Sequence, residues 1–205
     1  RNDSINRKVA LALADLAPAN LKLNIVEIGD LPLYNEDIDG ASPPAAYSTF
    51  RQQVSSSDAV LFVTPEYNRS VPAPLKNAID VGSRPYGKSA WSAKPGAIIS
   101  VSPGAIGGFG ANHHLRQSLV FLDMPTLLQP EAYIGGAAKL LGDDGKLNND
   151  STREFLKKFI DTYAIAANPT GVYDLKVAAT AQMDGSLSFK VNPKFTLTFE
   201  VINIL

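Results

Sequence analysis

Ala59-Val60-Leu61-Phe62-Val63-Thr64-Pro65-Glu66-Tyr67-Asn68-Arg69-Ser70 is the stretch on which the fold turns. Its first five residues are apolar without a break. Such a run suits a parallel strand covered on both faces, because no position is left to meet water. The run stops at Thr64-Pro65, where polar residues begin. A second run of the same kind, Ala97-Ile98-Ile99-Ser100-Val101, stops at Ser102-Pro103-Gly104. Two buried strands that each end in a polar loop need a covering layer on either side.

The flanking sequence supplies that layer. Ile5, Val9, Leu13 and Leu16 recur at helical spacing, with Asp3 or Ser4 as N-cap. Tyr47, Phe50 and Val54 mark a second helix after a polar loop from Gly29 to Pro44. Leu75, Ala78, Ile79 and Gly82 form a third helical face. Pro72 and Pro74 are tolerated at its start. Leu115, Leu119 and Leu122 mark a fourth helix. A fifth runs from Thr152 to Ala167, with Phe155, Leu156, Phe159, Ile160 and Tyr163 facing inward. Leu21 to Ile28 reads as a further strand through Leu23, Ile25 and Ile28. Thr126 to Ile134 reads as another, interrupted by Pro130. Strand–helix alternation of this length argues α/β architecture with a parallel sheet. Right-handed crossovers then send helices to both faces. Ligands of such sheets dock at the carboxyl ends of the strands. Three loops qualify: the segment before Ile5, Thr64 to Val71, and Ser102 to Gly110.

The ends depart from this pattern. A doubly wound sheet opens on a strand, and none precedes Arg1. The reading therefore expects about ten further residues, a strand plus a loop, ahead of it. Residues 1–167 form the α/β body, and residues 168–205 read as an antiparallel hairpin or meander added to it. Tyr173, Leu175 and Val177 alternate with polar residues, as do Leu187, Phe189 and Val191, and then Phe195, Leu197, Phe199 and Val201. Asp184-Gly185 is a hairpin signal between the first two runs. An alternative lets Phe195 to Leu205 fill the slot of the first strand.

Composition narrows the chemistry. The 205 residues are 45% apolar and 19% charged, enough to bury a core. Lys plus Arg number 19 against 20 Asp plus Glu, a formal net charge of −1, so bulk charge gives no reason to expect a nucleic-acid partner. With no cysteine, disulfides, Cys-ligated zinc, iron–sulfur clusters and thiol catalysis are excluded. No apolar run is long enough for a membrane-spanning helix, and no signal peptide is visible. These features fit a cytoplasmic protein.

The three loops carry the candidate chemistry. Arg1-Asn2-Asp3-Ser4-Ile5-Asn6-Arg7 sets a cation, a hydroxyl and amides at a helix start, where free N–H groups and the helix dipole favour an anion. An ordinary capped helix reads the same way. Glu66, Tyr67 and Asn68, stiffened by Pro65, offer an acceptor, an aromatic surface and an amide to a polar heterocycle, or they form only a polar turn. Ser102-Pro103-Gly104-Ala105-Ile106-Gly107-Gly108 allows backbone to approach a flat ligand, or is a flexible connector. Its spacing is not the dinucleotide fingerprint. His113 and His114 are adjacent and cannot share a helix face, so no metal site is expected. Arg116 reads as a solvated or interface cation, Trp91 as core or interface, and Asp143-Asp144-Gly145 as a turn. No Gly-x-Ser-x-Gly elbow is present.

Taken together, Arg1-x-x-Ser4-x-Asn6, the run Thr64 to Pro72 followed by Leu75-Lys76-Asn77-Ala78-Ile79-Asp80, then Ser102-Pro103-Gly104-Ala105-Ile106-Gly107-Gly108 and His114-Leu115-Arg116-Gln117, closely resemble the NADPH-dependent FMN reductase family, in particular its bacterial chromate and quinone reductases. The resemblance spans about Arg1 to Ala167 and leaves the tail without a counterpart. It implies a flavodoxin-like, doubly wound parallel sheet of strand order 2-1-3-4-5, one non-covalent FMN, and a homodimer or homotetramer. It further implies that Arg1, Ser4 and Asn6 hold the FMN phosphate. Pro65, Glu66, Tyr67 and Asn68 would line the isoalloxazine and ribityl chain, and Ser102, Gly104 and Gly107 would bound the ring. NADPH or NADH is the implied electron donor. Quinones, chromate or similar small molecules are the implied acceptors in a ping-pong hydride transfer that needs no catalytic side chain. Arg69 and Arg84 are candidate partners for an anionic donor or acceptor. Two rivals remain at this point. One is a non-enzymatic electron carrier of flavodoxin type, which the −1 charge disfavours. The other is a degenerate scaffold that no longer holds FMN.

Overall fold

The computed structural model describes residues 3–142, 145–167, 187–192 and 195–199. The chain divides into two units, Arg1–Gly171 and Val172–Leu205. The first unit contains helices α1 (Ile5–Leu16), α2 (Ala45–Ser55), α3 (Ala73–Gly82), α4 (Phe109–Phe121) and α5 (Asp150–Ala166). Its strands are β1 (Val60–Thr64), β2 (Gly96–Val101) and β3 (Ala132–Ile134). Short 3-10 turns lie at Glu36–Ile38 and Ala137–Lys139.

The three strands are parallel and in sequence order, β1-β2-β3. Val60 pairs with Gly96 and Thr64 with Ser100. Ile99 pairs with Ala132 and Val101 with Ile134. This is the 3-4-5 half of the implied strand order. Every residue of β2 is buried, as a central strand covered on both faces requires. Alternation along β2 feeds two cores. Ala97, Ile99 and Val101 meet Val9 and Leu13 of α1 and Leu156, Phe159, Ile160 and Tyr163 of α5. Ile98 joins the opposite core with Phe62 and the buried faces of α2, α3 and α4, among them Tyr47, Phe50, Ile79, Leu115 and Leu119. Each such large apolar side chain contributes about 1.5–3 kcal/mol on burial.

Some expectations need correction. Leu21–Ile28 is not a strand, because it has no ladder partner among the described residues. Strand geometry needs a neighbour to take its N–H and C=O groups. The stretch instead spreads its apolar side chains over both cores, Leu21 and Leu23 on one and Val26 and Ile28 on the other. The strand expected over Thr126 to Ile134 shrinks to β3, with a single parallel bridge from Thr126 to Gly96. Pro130 carries no N–H for the ladder between them. Helix α5 starts two residues earlier than expected, where Asn149 Oδ1 accepts from Thr152 N at 2.9 Å. Of the two caps considered for α1, Ser4 is the one that forms.

In the second unit, β4 (Leu187–Asn192) pairs antiparallel with β5 (Phe195–Phe199), with a register shift between Lys190 and Asn192. They form a two-stranded sheet of their own. The alternative that Phe195 to Leu205 fills a first-strand slot is therefore not what the described part of that segment does. Tyr173 to Val177 and the Asp184-Gly185 turn lie outside the described residues.

Candidate functional site at the carboxyl ends of the strands

The first candidate element is the start of α1. Ser4 Oγ accepts from Arg7 N at 3.3 Å and keeps its own proton free to donate. Helix geometry leaves the first N–H groups without intrahelical partners. Arg7 pairs with Glu27, and Lys8 with Asp3 at 2.5 Å, so both basic side chains of this turn are engaged within the protein. Asn6 stands out. Its Oδ1 is the only side-chain polar atom among the described residues that is shut from water without a hydrogen-bond partner. An orphaned amide of this kind costs about 1–3 kcal/mol. An FMN ribityl hydroxyl would satisfy it as it stands, and a phosphate oxygen would do so with the amide turned over. Ser4 and Asn6 therefore fit the group that the resemblance implies. Arg1 lies outside the described residues.

The second element follows β1. Thr64, fully buried, bonds its hydroxyl to the Pro65 carbonyl at 2.8 Å and turns the chain off the sheet. Tyr67 and Ser70 exchange both backbone hydrogen bonds at 3.0 Å, closing a two-residue turn on Asn68 and Arg69. Their φ values are +52° and +63°, both left-handed and neither residue glycine. Asn tolerates this region, whereas Arg pays for it, on the order of 1–2 kcal/mol. Strain of this sort persists where the surroundings over-determine the loop. The surroundings here are two side-chain bonds to α4. Glu66 Oε2 accepts from Ala111 N at 3.0 Å, and Ser70 Oγ meets His114 Nδ1 at 2.7 Å. Tyr67 is left 58% exposed at the rim.

The third element follows β2. Ser102 Oγ accepts from Gly104 N at 3.1 Å. Gly107, at φ +61°, lies against the backbone of β3. A Cβ there would stand 2.5 Å from the Tyr133 carbonyl carbon. Its glycine is thus demanded by packing of backbone on backbone. Gly104 is different, since a Cβ there would meet nothing closer than Ser102 Oγ at 3.4 Å, so its surroundings are open. Ile106 and Phe109 are 52% and 51% exposed on this loop and on the first residue of α4.

The other singled-out residues make contacts within the protein. His113 and His114 point apart, the first to Tyr133 Oη at 3.0 Å and the second to Ser70. Burial first, then the Glu131 carboxylate, pushes the Tyr133 phenol up to about 12. Arg116 is not a solvated cation. It donates to Asn112 Oδ1 and to the Leu127 carbonyl, both at 3.0 Å. Asn112, fully buried, donates to Ser100 Oγ and the Ala132 carbonyl. That network was invisible in the sequence, where Asn112 carries no signal. Asn77 of the Leu-Lys-Asn-Ala run donates to the Leu31 and Pro32 carbonyls and accepts from Tyr34 N, pinning the long loop before α2. Trp91 is core, donating to the Ile79 carbonyl at 3.0 Å over Gly82. Arg69 pairs with Glu66, and Arg84 bonds to Tyr34.

A parallel α/β sheet with helices on both faces and polar loops at the carboxyl ends of its strands defines a doubly wound, flavodoxin-like fold, whose ligands dock at that edge. The family model described as NADPH-dependent FMN reductase matches residues 1–139. A quinone reductase of Pseudomonas putida is 70% identical over 164 residues, covering 80% of this chain and 88% of that protein. A 2-hydroxy-1,4-benzoquinone reductase of Burkholderia sp is 47% identical over 164 residues, covering 80% and 89%. The structure of FerB, a flavoenzyme NAD(P)H:(acceptor) oxidoreductase of Paracoccus denitrificans, superimposes with a TM-score of 0.76 at 40% identity, covering 82% of this chain and 91% of that one. This chain belongs to the NADPH-dependent FMN reductase family, an FMN-dependent enzyme family that uses NAD(P)H as electron donor. Membership in an enzyme family sets aside the electron-carrier reading. No helix among the described residues is long and apolar enough to cross a membrane.

Proposed function

We propose that this protein is an FMN-dependent NAD(P)H:quinone oxidoreductase whose flavin lies along the rim formed by the start of α1 and the loops after β1 and β2. The observation that carries the reading is the rim itself. Two strand-end loops are tied to one helix, and Tyr67, Ile106 and Phe109 remain exposed on them. Exposed aromatic and aliphatic surface beside backbone N–H groups suits a flat, polar-edged ring. When bound, FMN supplies two-electron chemistry, taking hydride from a nicotinamide and giving electrons to an acceptor. The chain's own part is to bind and orient. Ser4 and Asn6 address the phosphate and ribityl end. Pro65, Tyr67, Asn68 and the backbone of Glu66 line the ring, and Ser102 and Gly104 bound its other side. Gly107 shapes that loop from beneath. No side chain is required as a nucleophile.

A quinone acceptor is supported by the identity to quinone reductases over four-fifths of the chain. Chromate would be reduced at the same place. A homodimer or homotetramer is supported by Val120 and Phe121, which stand exposed on α4, and light scattering of the purified protein tests it. A cytoplasmic setting is supported by the nature of the donor, a nucleotide of the cell interior.

The test is an anaerobic titration. NADPH added to the FMN-loaded protein bleaches the flavin absorbance, and a benzoquinone restores it with steady-state turnover. Persistent colour after NADPH would overturn the reading.

A further inference from the structure

We propose that the Glu66 side chain is a positioning residue, a helix cap supplied from another element, which locks the loop after β1 onto the N-terminus of α4 and so fixes the rim. This rests on the reading of that rim as the flavin site. The residue before α4, at the cap position, is Gly108, which has no side chain to cap the helix. An N-cap side chain normally accepts from the N–H of the second or third helical residue. Ala111 is that third residue, and its N–H is taken by Glu66 Oε2 at 3.0 Å, from 45 residues away in the chain. A carboxylate is well suited to the task, since the helix N-terminus carries partial positive charge.

The neighbouring residues are cut to fit it. A Cβ on Gly110 would stand 2.9 Å from both Glu66 Oε2 and the Arg69 carbonyl oxygen, and one on Gly108 would stand 3.5 Å from Glu66 Cβ. Gly110 therefore makes room for this carboxylate, whereas the constraint at Gly108 is its φ of +76° and Ser100, whose Cβ a new Cβ would meet at 3.0 Å. The Glu66 side chain is 11% exposed, so its bond to Ala111 is sheltered. Its other oxygen meets Arg69 at 3.3 Å, but the Arg69 side chain is 72% exposed and that pair is weak. Both carboxylate oxygens are thus spent within the protein, which makes the side chain a strut between the two loops and leaves the ring-lining role to its backbone.

Hydrogen exchange and FMN binding on the full-length protein separate the possibilities. Glu66→Ala is expected to speed exchange of the Ala111 amide in the apoprotein about tenfold and to raise the Kd for FMN about tenfold, the scale of one lost charge-assisted bond. Glu66→Gln keeps a carbonyl oxygen and is expected to recover most of both, with the visible spectrum of bound FMN unchanged. The proposal fails if Glu66→Ala leaves Ala111 exchange unaltered. It also fails if Glu66→Gln keeps Ala111 protected yet loses FMN as badly as Glu66→Ala, since the charge would then be acting on the flavin directly. Should Glu66→Ala not fold, the Glu66→Gln comparison with wild type decides on the same two readings. Wild-type protein that binds no FMN would sink the proposed site, while the exchange measurement would still decide the cap.

Discussion

The loops after β1 and β2 reach the same rim by opposite means. The first is built from side chains. Glu66 and Ser70 bond to α4, and the turn between them forces two non-glycine residues into left-handed backbone. The second is built from the lack of side chains. Gly107 lets the backbone settle onto the Tyr133 carbonyl at a distance no Cβ allows. A loop held by side chains can be loosened one bond at a time, whereas a loop held by backbone contact tolerates no added atom.

The sharpest way to break the second loop is Gly107→Ala. The new methyl meets the Tyr133 backbone and sits at φ +61°, so strain and overpacking together cost about 3 kcal/mol. For a chain of this size that lowers Tm by about 10 °C in a calorimetric scan. Asn112 ties α4 to the sheet, through Ser100 of β2 and Ala132 of β3. Asn112→Ala takes one bond from each of those groups and from Arg116, which keeps the Leu127 carbonyl, and chemical denaturation should register a loss of about 2 kcal/mol.

A pH series sharpens the contrast further. Partial burial, with Glu131 adding to it, pushes the Tyr133 phenol up from 10.0 to about 12. A raised folded pKa gives stability that is fully present below the unfolded value and is lost as pH rises through the folded one. Stability should therefore decline between pH 10 and about 12. Tyr133→Phe should flatten that limb in alkaline denaturation curves. The smallest effect belongs to the first loop. Arg69→Gly relieves the left-handed strain at the expense of a weak exposed ion pair and of glycine's backbone entropy. It should gain about 0.5 kcal/mol and leave FMN affinity within twofold in a quenching titration. A loss of stability there would mean that the Arg69–Glu66 pair counts for more than its exposure suggests.

Much of the frame was legible residue by residue. The runs at Val60–Val63 and Ala97–Val101 are parallel strands as read, the second buried throughout and the first only in part, and Tyr47, Phe50 and Val54 are buried at the spacing their helix requires. The failures share one cause. Leu21–Ile28 has strand-like residues but no ladder partner, and pairing is a property of two segments. Arg116 reads as a solvated or interface cation, yet it is spent on Asn112 and the Leu127 carbonyl, and Asn77, read only as part of the Leu-Lys-Asn-Ala run, holds the Leu31 and Pro32 carbonyls. Glu66 lies in the loop after β1, and its side chain faces α4.

The sequence alone determined that this chain makes a covered parallel sheet with polar loops at the strand ends, because unbroken apolar runs and helical periodicity are local consequences of hiding hydrocarbon from water. Only the tertiary structure decided which of the polar residues in those loops are free to meet a ligand. In the loop after β1, Glu66 and Ser70 find partners on α4, and a hydrogen bond between distant residues depends on where the packed cores carry them.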